Sequence, residues 1–442
     1  MFVPREPEKQ RICERNFKMK RILMSIFTFV LISSILVSSM TTCAFATTSV
    51  EKKKDEREQA VESVVKEFLS SEYAYFSGKD STSFLDYLAP RYTESKNILF
   101  HLSYLDYQVA VLNLLGWEII EDDLSFSDIK VDVQSNRADA SIVTKYKYFA
   151  SDGFNKERFR SKTYYFNLEF QNGRWLISDI KTSDPWELED DFIYEPIDVD
   201  GAISQLKNDI SAQNNDTINS PIMNEFTNVQ SELRGLYYWA YDVDSAVSYA
   251  EQYYSSYNSM FPSFIGQGGD CQNFASQCVW AGLGGTLSTT GIPAVSTTLV
   301  GSNSPRVWCC GQYTTYYNGI NTYYNWAWTR CEGFLKLIAT SDNITIGPRG
   351  WTWYGTLANA QPGCVIHFDR DSNPTIDTMD HAMFVTDANG TIGNRTVSNL
   401  FIAAHTTDTT SACQSLALYA PALLSSDYST TYILCGQYAT QQ

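Results

Sequence analysis

The sequence predicts an α+β chain in two folded parts, a smaller one first and a larger one after it. Three observations carry this. Apolar residues recur at helical spacing over 61–69 and again from Asn97 to Leu115. Short alternating strands joined by polar turns then run from Ser127 to Ile180. From Leu236 the chain turns aromatic and periodic, and a glycine pair, Gly268-Gly269, leads into a segment that reads as a helix opening on Cys271. Helices followed by a meander, and then by a second mixed stretch, are the pattern of segregated helix and sheet.

The first residues read as a targeting segment. Lys18, Lys20 and Arg21 form a basic run, Ile22 to Val37 is mostly apolar, and Ala44-Phe45-Ala46 offers a small-residue cleavage pattern, which makes 1–46 a signal peptide. The apolar run is short for a membrane span, and no long apolar stretch is read after it. Thr42 before Cys43 lacks the approach expected of a lipid-attachment cysteine. The mature protein is therefore expected to be secreted, outside the cell or in the wall, with no membrane contact beyond the cleaved leader.

Formal net charge is −17 over 442 residues, and loss of a basic leader makes the remainder more acidic. Nucleic acid and anionic membrane reward clustered Lys and Arg, so neither is an expected partner. Of the ten cysteines, Cys13 and Cys43 leave with the leader, and the other eight lie from Cys271 onward. Spacing does not give their pairing, and an unpaired Cys271 leaves an odd number among the rest. No C-x-x-C pair occurs and His is scarce, so no metal site and no cofactor is expected.

The smaller part is placed at 55–183. Val61, Val64, Val65, Phe68 and Leu69 make an amphipathic helix. Ile129, Val131 and Val133, then Ala140, Ile142, Thr144 and Tyr146, alternate across a turn at Asn136-Arg137. Tyr164 to Phe170 and Trp175 to Ile180 follow, separated by Gln171-Asn172-Gly173. This is an antiparallel meander. The closing Gly173-Arg174-Trp175 block resembles the cone-shaped domains of the nuclear-transport-factor-like and cystatin-like type. No acid–base constellation stands out here, so the part is read as accessory. Residues 184–235 are rich in Asp, Glu, Asn, Ser and Pro and read as a linker with one short helix near Ile203 to Ile210.

Residues 236–442 carry the chemistry. Asp242 or Asp244 is placed to cap a helix bearing Ala246, Tyr249, Ala250, Tyr253 and Tyr254. Cys271 follows a strained glycine turn at a helix N-terminus, where unpaired amides and partial positive charge favour thiolate, the nucleophilic form. Hydrolysis of an amide also needs a base and donors for the oxyanion. Gln267, Gln272 and Asn273 are the candidate side-chain donors, beside the Cys271 amide. Among four histidines, His381 heads the apolar run Ala382-Met383-Phe384-Val385, as a base displayed at a strand tip would. His405 ends the next strand, with Asn389-Gly390 and Gly393-Asn394 turning between them. Pairing as a hairpin would bring His381 and His405 side by side. His405 or Asp408 would then orient the imidazole. His367 lies on an alternating strand and its face is open.

Tyr241-Asp242, Gly-Gly-Asp-Cys-x-Asn-Phe-x-Ser-Gln-Cys from Gly268 to Cys278, Ala281-Gly282, Leu357-x-x-Ala360-Gln361-Pro362-Gly363, Asp380-His381-Ala382 and His405-Thr406-x-Asp408 together resemble the "putative amidase domain" family of exported bacterial proteins. That resemblance covers about 236–420. It implies a papain-like fold, a Cys-bearing helix packed on an antiparallel sheet bearing His, with Cys271 as nucleophile and His381 as base. One letter departs: the family continues Pro-Gly with Asp, and this chain has Cys364. The implied reaction is amide or peptide hydrolysis through an acyl-enzyme, with a peptide or peptidoglycan-type amide as substrate. Two other readings stand beside it, a binding protein on a papain-like scaffold and a transglutaminase-type acyl transferase. Trp326, Trp328, Trp351 and Trp353 are expected mainly in cores.

Overall fold

A computed structural model describes residues 56–79, 82–151, 153–154, 156–183, 195–213, 236–259, 261, 264, 270–285, 308, 310–315, 319–324, 326–339, 346–368, 381–405, 411–419 and 428–439. The leader at 1–46, Gln267 and Asp408 lie outside the described residues.

Helix α1 covers 56–76, and α2 is Lys96–Leu115. Ser95 caps α2 by accepting from the Ile98 amide at 3.2 Å, and Gly116 ends it at φ 66°, the left-handed angle glycine adopts at low cost. By length and composition α2 is apolar enough to cross a membrane, yet half of its apolar window is buried inside the protein. Four antiparallel strands follow: β1 (Ile119–Gln134), β2 (Arg137–Ala150), β3 (Arg158–Gln171) and β4 (Arg174–Thr182). α1 lies on this meander. Phe68 meets Phe166 edge-on at 5.8 Å, and Tyr73 shares a hydrogen bond of 3.1 Å with Thr144 on β2. β1 begins well before Ser127 because its acidic start is paired: Asp122 accepts from Tyr146 at 2.9 Å and takes an ion pair from Lys79. Helix α3 (Val199–Gln213) occupies the middle of the stretch read as a linker and packs on α2.

The second half runs β5 (Leu236–Ala240), α4 (Val243–Tyr253), α5 (Cys271–Gly282), a hairpin of β6 (Cys310–Thr315) and β7 (Gly319–Tyr324), α6 (Trp326–Thr329), α7 (Cys331–Ala339), β8 (Ile346–Tyr354), β9 (Val365–Phe368), β10 (His381–Ala388), β11 (Leu400–His405), β12 (Ser411–Ser415), α8 (Leu416–Tyr419) and β13 (Tyr428–Ala439). Asp242 is the residue that caps α4, accepting from the Ser245 amide at 3.2 Å.

One antiparallel sheet spans both halves in the order β1-β2-β3-β12-β11-β10-β9-β13-β5, with β4 also on β3 and β8 also on β13. The junction is β12 on β3, where Ser411, Ala412 and Cys413 pair with Ser161, Arg160 and Phe159. Strands β9 to β11 are buried on both faces. Side chains alternate between those faces. Val365, Ala382, Phe384, Phe401 and Ala403 pack with α5 on one. Ile366, Phe368, Met383, Val385, Ile402 and Ala404 pack with Leu416 and Tyr419 on the other. The fold is thus α+β with a large antiparallel sheet, and α5 lies against β10 and β11.

Candidate active site

Cys271 is the first residue of α5, and Asp270 is its N-cap position. The polar letters around Cys271 fix that helix start. Asp270 Oδ1 accepts from the Phe264 amide at 3.2 Å and from Asn273 Nδ2 at 2.8 Å. Asn273 Oδ1 accepts from Trp328 Nε1 at 2.7 Å. Ser276 donates to the Trp328 carbonyl at 2.8 Å and accepts from Trp308 Nε1 at 3.3 Å. Gln277 accepts from Tyr249 at 2.6 Å, which ties α5 to α4. Gly282 is required where α5 crosses the start of α4: a Cβ there would stand 2.3 Å from the Tyr241 ring and 2.8 Å from the Asp242 carbonyl. Tyr241 in turn donates to the Gly363 carbonyl at 2.9 Å. Cys278 is fully buried, and burial pushes its thiol well above the usual range, as for an inert core residue.

Cys271, His381 and Cys331 come together. His381 opens β10, and its imidazole and the Ala382 amide next to it both act on the Cys271 sulfur so as to favour its charged form. Cys331, at the head of α7, supplies the strongest influence: its hydrogen bond holds the Cys271 thiol well below the ordinary cysteine range. Burial pulls the other way, and the charge and hydrogen bond of His381 add to the lowering. Cys271 and Cys331 lie outside any disulfide, as do Cys278, Cys364 and Cys413. Replacing Cys331 by alanine removes a donor to the thiolate, so the Cys271 pKa is expected to rise. Alkylation by iodoacetamide at pH 6 should then slow by about 10-fold, one pKa unit's worth, whereas Cys331→Ser keeps a donor and should stay near wild type. Rate against pH checks both.

The second ring nitrogen of His381 has a partner that sequence did not suggest. His381 Nε2 lies 3.0 Å from the Tyr419 hydroxyl, with the two rings stacked at 5.9 Å. Phe368 meets the imidazole edge-on at 5.2 Å. No motif letter or spacing marks Tyr419. Cys331 is one of the eight cysteines whose pairing the spacing leaves open.

His405 is not brought beside His381. Hairpin register pairs Phe384 with Ala403, so His405 shares a face with Ala403 and Phe384, while His381 shares the other with Met383. One residue of register turns the two imidazoles to opposite faces. His405 Nε2 donates to the carbonyls of Tyr253 and Tyr254 at 2.8 and 2.9 Å, and its ring stacks on Phe274 at 4.0 Å. Its Nδ1 stands 3.6 Å from Asp270 Oδ2. His405 therefore links the end of α4 to the start of α5.

The candidate oxyanion donors within the described residues are otherwise engaged. Gln272 Nε2 donates to Ser276 at 3.1 Å and its Oε1 accepts from His367 Nε2 at 2.8 Å, while Asn273 bridges Asp270 and Trp328. His367 is fully buried. Burial pushes its pKa down to about 3, the Cys271 charge opposing and the His381 charge adding, so this ring is neutral beside the pair. Trp328 is fully buried, Trp351 stacks on Tyr432 at 4.9 Å, and the Trp326 side chain lies outside the described residues. Among the described residues, no group of three or more His, Cys, Asp or Glu could hold a metal ion.

These positions sit inside a recognised stretch of sequence. Residues 240–432 match the family described as "Putative amidase domain". At a coarse level the amidase family points to amide hydrolysis. No curated protein matches the chain. Solved structures with partial likeness include the Kfla4162 protein from Kribbella flavida, 13% identical over 28% of this chain and 90% of that one with a TM-score of 0.21. Another is a hexachlorocyclohexane dehydrochlorinase (LinA) Type2, 11% identical over 29% of this chain and 87% of that one with a TM-score of 0.22. Scores that low bear on neither the fold nor the chemistry of the amidase half.

Proposed function

We propose that residues 236–442 form a papain-like cysteine amidase that hydrolyses an amide bond, in cell-wall peptide, after export and removal of the leader at 1–46. Residues 55–183 are its accessory module and 184–235 the connection. One observation carries the reading: a buried thiol at the head of α5, outside any disulfide, that Cys331 first and the His381 imidazole next hold well below its ordinary pKa. Such perturbed pairs cluster at catalytic centres.

With Nε2 of His381 engaged by Tyr419, Nδ1 is left for the sulfur. The Cys271 thiolate attacks the amide carbon, and the carbonyl π electrons move to oxygen. That oxyanion faces the first turn of α5, whose amides and dipole favour negative charge. As the C–N bond breaks, the imidazolium proton of His381 passes to the leaving nitrogen, and a thioester remains on Cys271. Water then attacks the thioester carbon and gives a proton to His381. The C–S bond breaks, releasing a carboxylic acid and restoring the thiolate–imidazolium pair.

The test is digestion of purified wall material by the wild type and by Cys271→Ser, with released fragments weighed by mass spectrometry. New paired amine and carboxyl ends are expected with the wild type and at background with the variant. Equal products from both would discard the amidase reading. Incorporation of an added amine in place of water would favour acyl transfer.

A further inference from the structure

We infer that Tyr419 is the positioning residue of the Cys271–His381 pair, and that helix α2 of the first half, through Tyr104 and Gln108, sets where Tyr419 stands. This rests on the proposed Cys–His reading and deepens it. It changes what the first half is for: part of the catalytic centre's frame, and not only an accessory module.

The argument starts from α8. It holds four residues, too few to be stable alone, and its terminal carbonyls have no partner within the helix. Those carbonyls are satisfied from across the molecule. Tyr104 on α2 donates its hydroxyl to the Tyr419 carbonyl at 2.8 Å, and Gln108, one turn later on α2, donates Nε2 to the Leu418 carbonyl at 2.6 Å. All of these groups are buried, where an unmade hydrogen bond is most costly. Gln108 is itself oriented by Arg160 on β3, whose Nη1 donates to Gln108 Oε1 at 3.3 Å. Just before α8, β12 is hydrogen-bonded to β3, and Gln414 on β12 accepts from Tyr148 on β2 at 3.0 Å. The backbone of Tyr419 is thus fixed from the first half, while its side chain reaches the other way.

That side chain meets the imidazole at the nitrogen not needed by the sulfur. The Tyr419 hydroxyl lies 3.0 Å from His381 Nε2. When the imidazole is protonated, Nε2–H donates to the hydroxyl oxygen and Nδ1–H faces the thiolate. The hydrogen bond selects ring orientation and tautomer, the task a third group performs wherever a histidine serves a nucleophile. Neither His405 nor any other described histidine contacts Nε2 of His381, so this hydroxyl occupies the orienting position.

The test uses the full chain and needs no substrate. Iodoacetamide alkylation of Cys271, read by peptide mass mapping, is followed against pH for the wild type, for Tyr419→Phe, and for Tyr104→Phe combined with Gln108→Leu. Thermal unfolding is recorded alongside. The wild type should show its inflection well below that of an ordinary thiol. Tyr419→Phe should react about 10-fold more slowly at pH 6 and equally fast at high pH, which a loss of packing alone would not produce. The double variant leaves the Tyr419 hydroxyl in place and should shift the profile in the same direction, by about threefold at pH 6. It also reports if Tyr419→Phe does not fold. A Tyr419→Phe profile that superimposes on a low wild-type inflection would overturn Tyr419 as the positioning residue. A double-variant profile that does so would overturn the part of α2. A wild type with an ordinary thiol profile is a different failure: it would remove the Cys–His reading itself, and this inference with it.

Discussion

Replacing His381 by alanine is expected to cut amide hydrolysis by about 10³–10⁴-fold, the range that follows loss of a general acid–base group. Two contributions disappear together. On the proposed Cys–His reading the leaving nitrogen loses its proton donor, and the Cys271 sulfur loses one of the groups that hold its pKa below the ordinary range. The sign of the second effect is testable apart from the first. A thiol whose pKa has been lowered holds more thiolate at any pH below its ordinary range, so removing a cause of the lowering moves the alkylation midpoint upward and slows alkylation at pH 6. Hydrolysis of wall material and alkylation against pH are the two measurements. His405→Ala is the control. It should lower stability, through the lost bonds to the Tyr253 and Tyr254 carbonyls, while leaving the alkylation midpoint near that of the wild type. Should His405→Ala shift the midpoint and His381→Ala leave it in place, the assignment of the base would be reversed.

Local signals in the sequence were enough to find the elements that frame the site. The glycine turn before Cys271 marked the start of α5, and Asp242 and Asp244 narrowed the cap of α4 to two residues, because caps and helix periodicity are written within a few residues. The alternation around Ile142 and Phe166 marked the meander for the same reason. What stayed hidden depends on residues far apart in the chain. Whether His405 faces His381 turns on a register of one residue, and nothing local reveals it. The pairing of β12 with β3 joins segments some 250 positions apart (Cys413 with Phe159) across the stretch read as a linker. Tyr419 matters only because a short helix, anchored from α2, happens to end at His381. The acidic start of β1 lies before the strands read from Ser127 onward, and its pairing of Asp122 with Tyr146 and Lys79 exists only in the folded chain.

The motif around Cys271 also divides in an unexpected proportion, since most of its letters hold the frame and one bears the reactive sulfur. Asp270 is the centre of that frame. It is fully buried, accepts from the Phe264 amide and from Asn273, and sets its other oxygen 3.6 Å from His405 Nδ1. Asp270→Ala leaves two buried donors, the Phe264 amide and Asn273 Nδ2, without their acceptor at once, and is expected to cost about 3–5 kcal/mol of stability. Asp270→Asn keeps a carbonyl oxygen for the amide and for Asn273, loses the charge toward His405, and should cost about 1–3 kcal/mol. Urea unfolding followed by tryptophan fluorescence separates the two, because Trp328 is tied to the same network through Asn273. The order matters more than either size. If the asparagine variant were as unstable as the alanine one, the contact with His405 would dominate, and the joint between α4 and α5 would be chiefly electrostatic. If both unfolded at the wild-type denaturant concentration, Asp270 would not be holding the head of α5, and the thiol's setting would have to come from Cys331 and β10 alone.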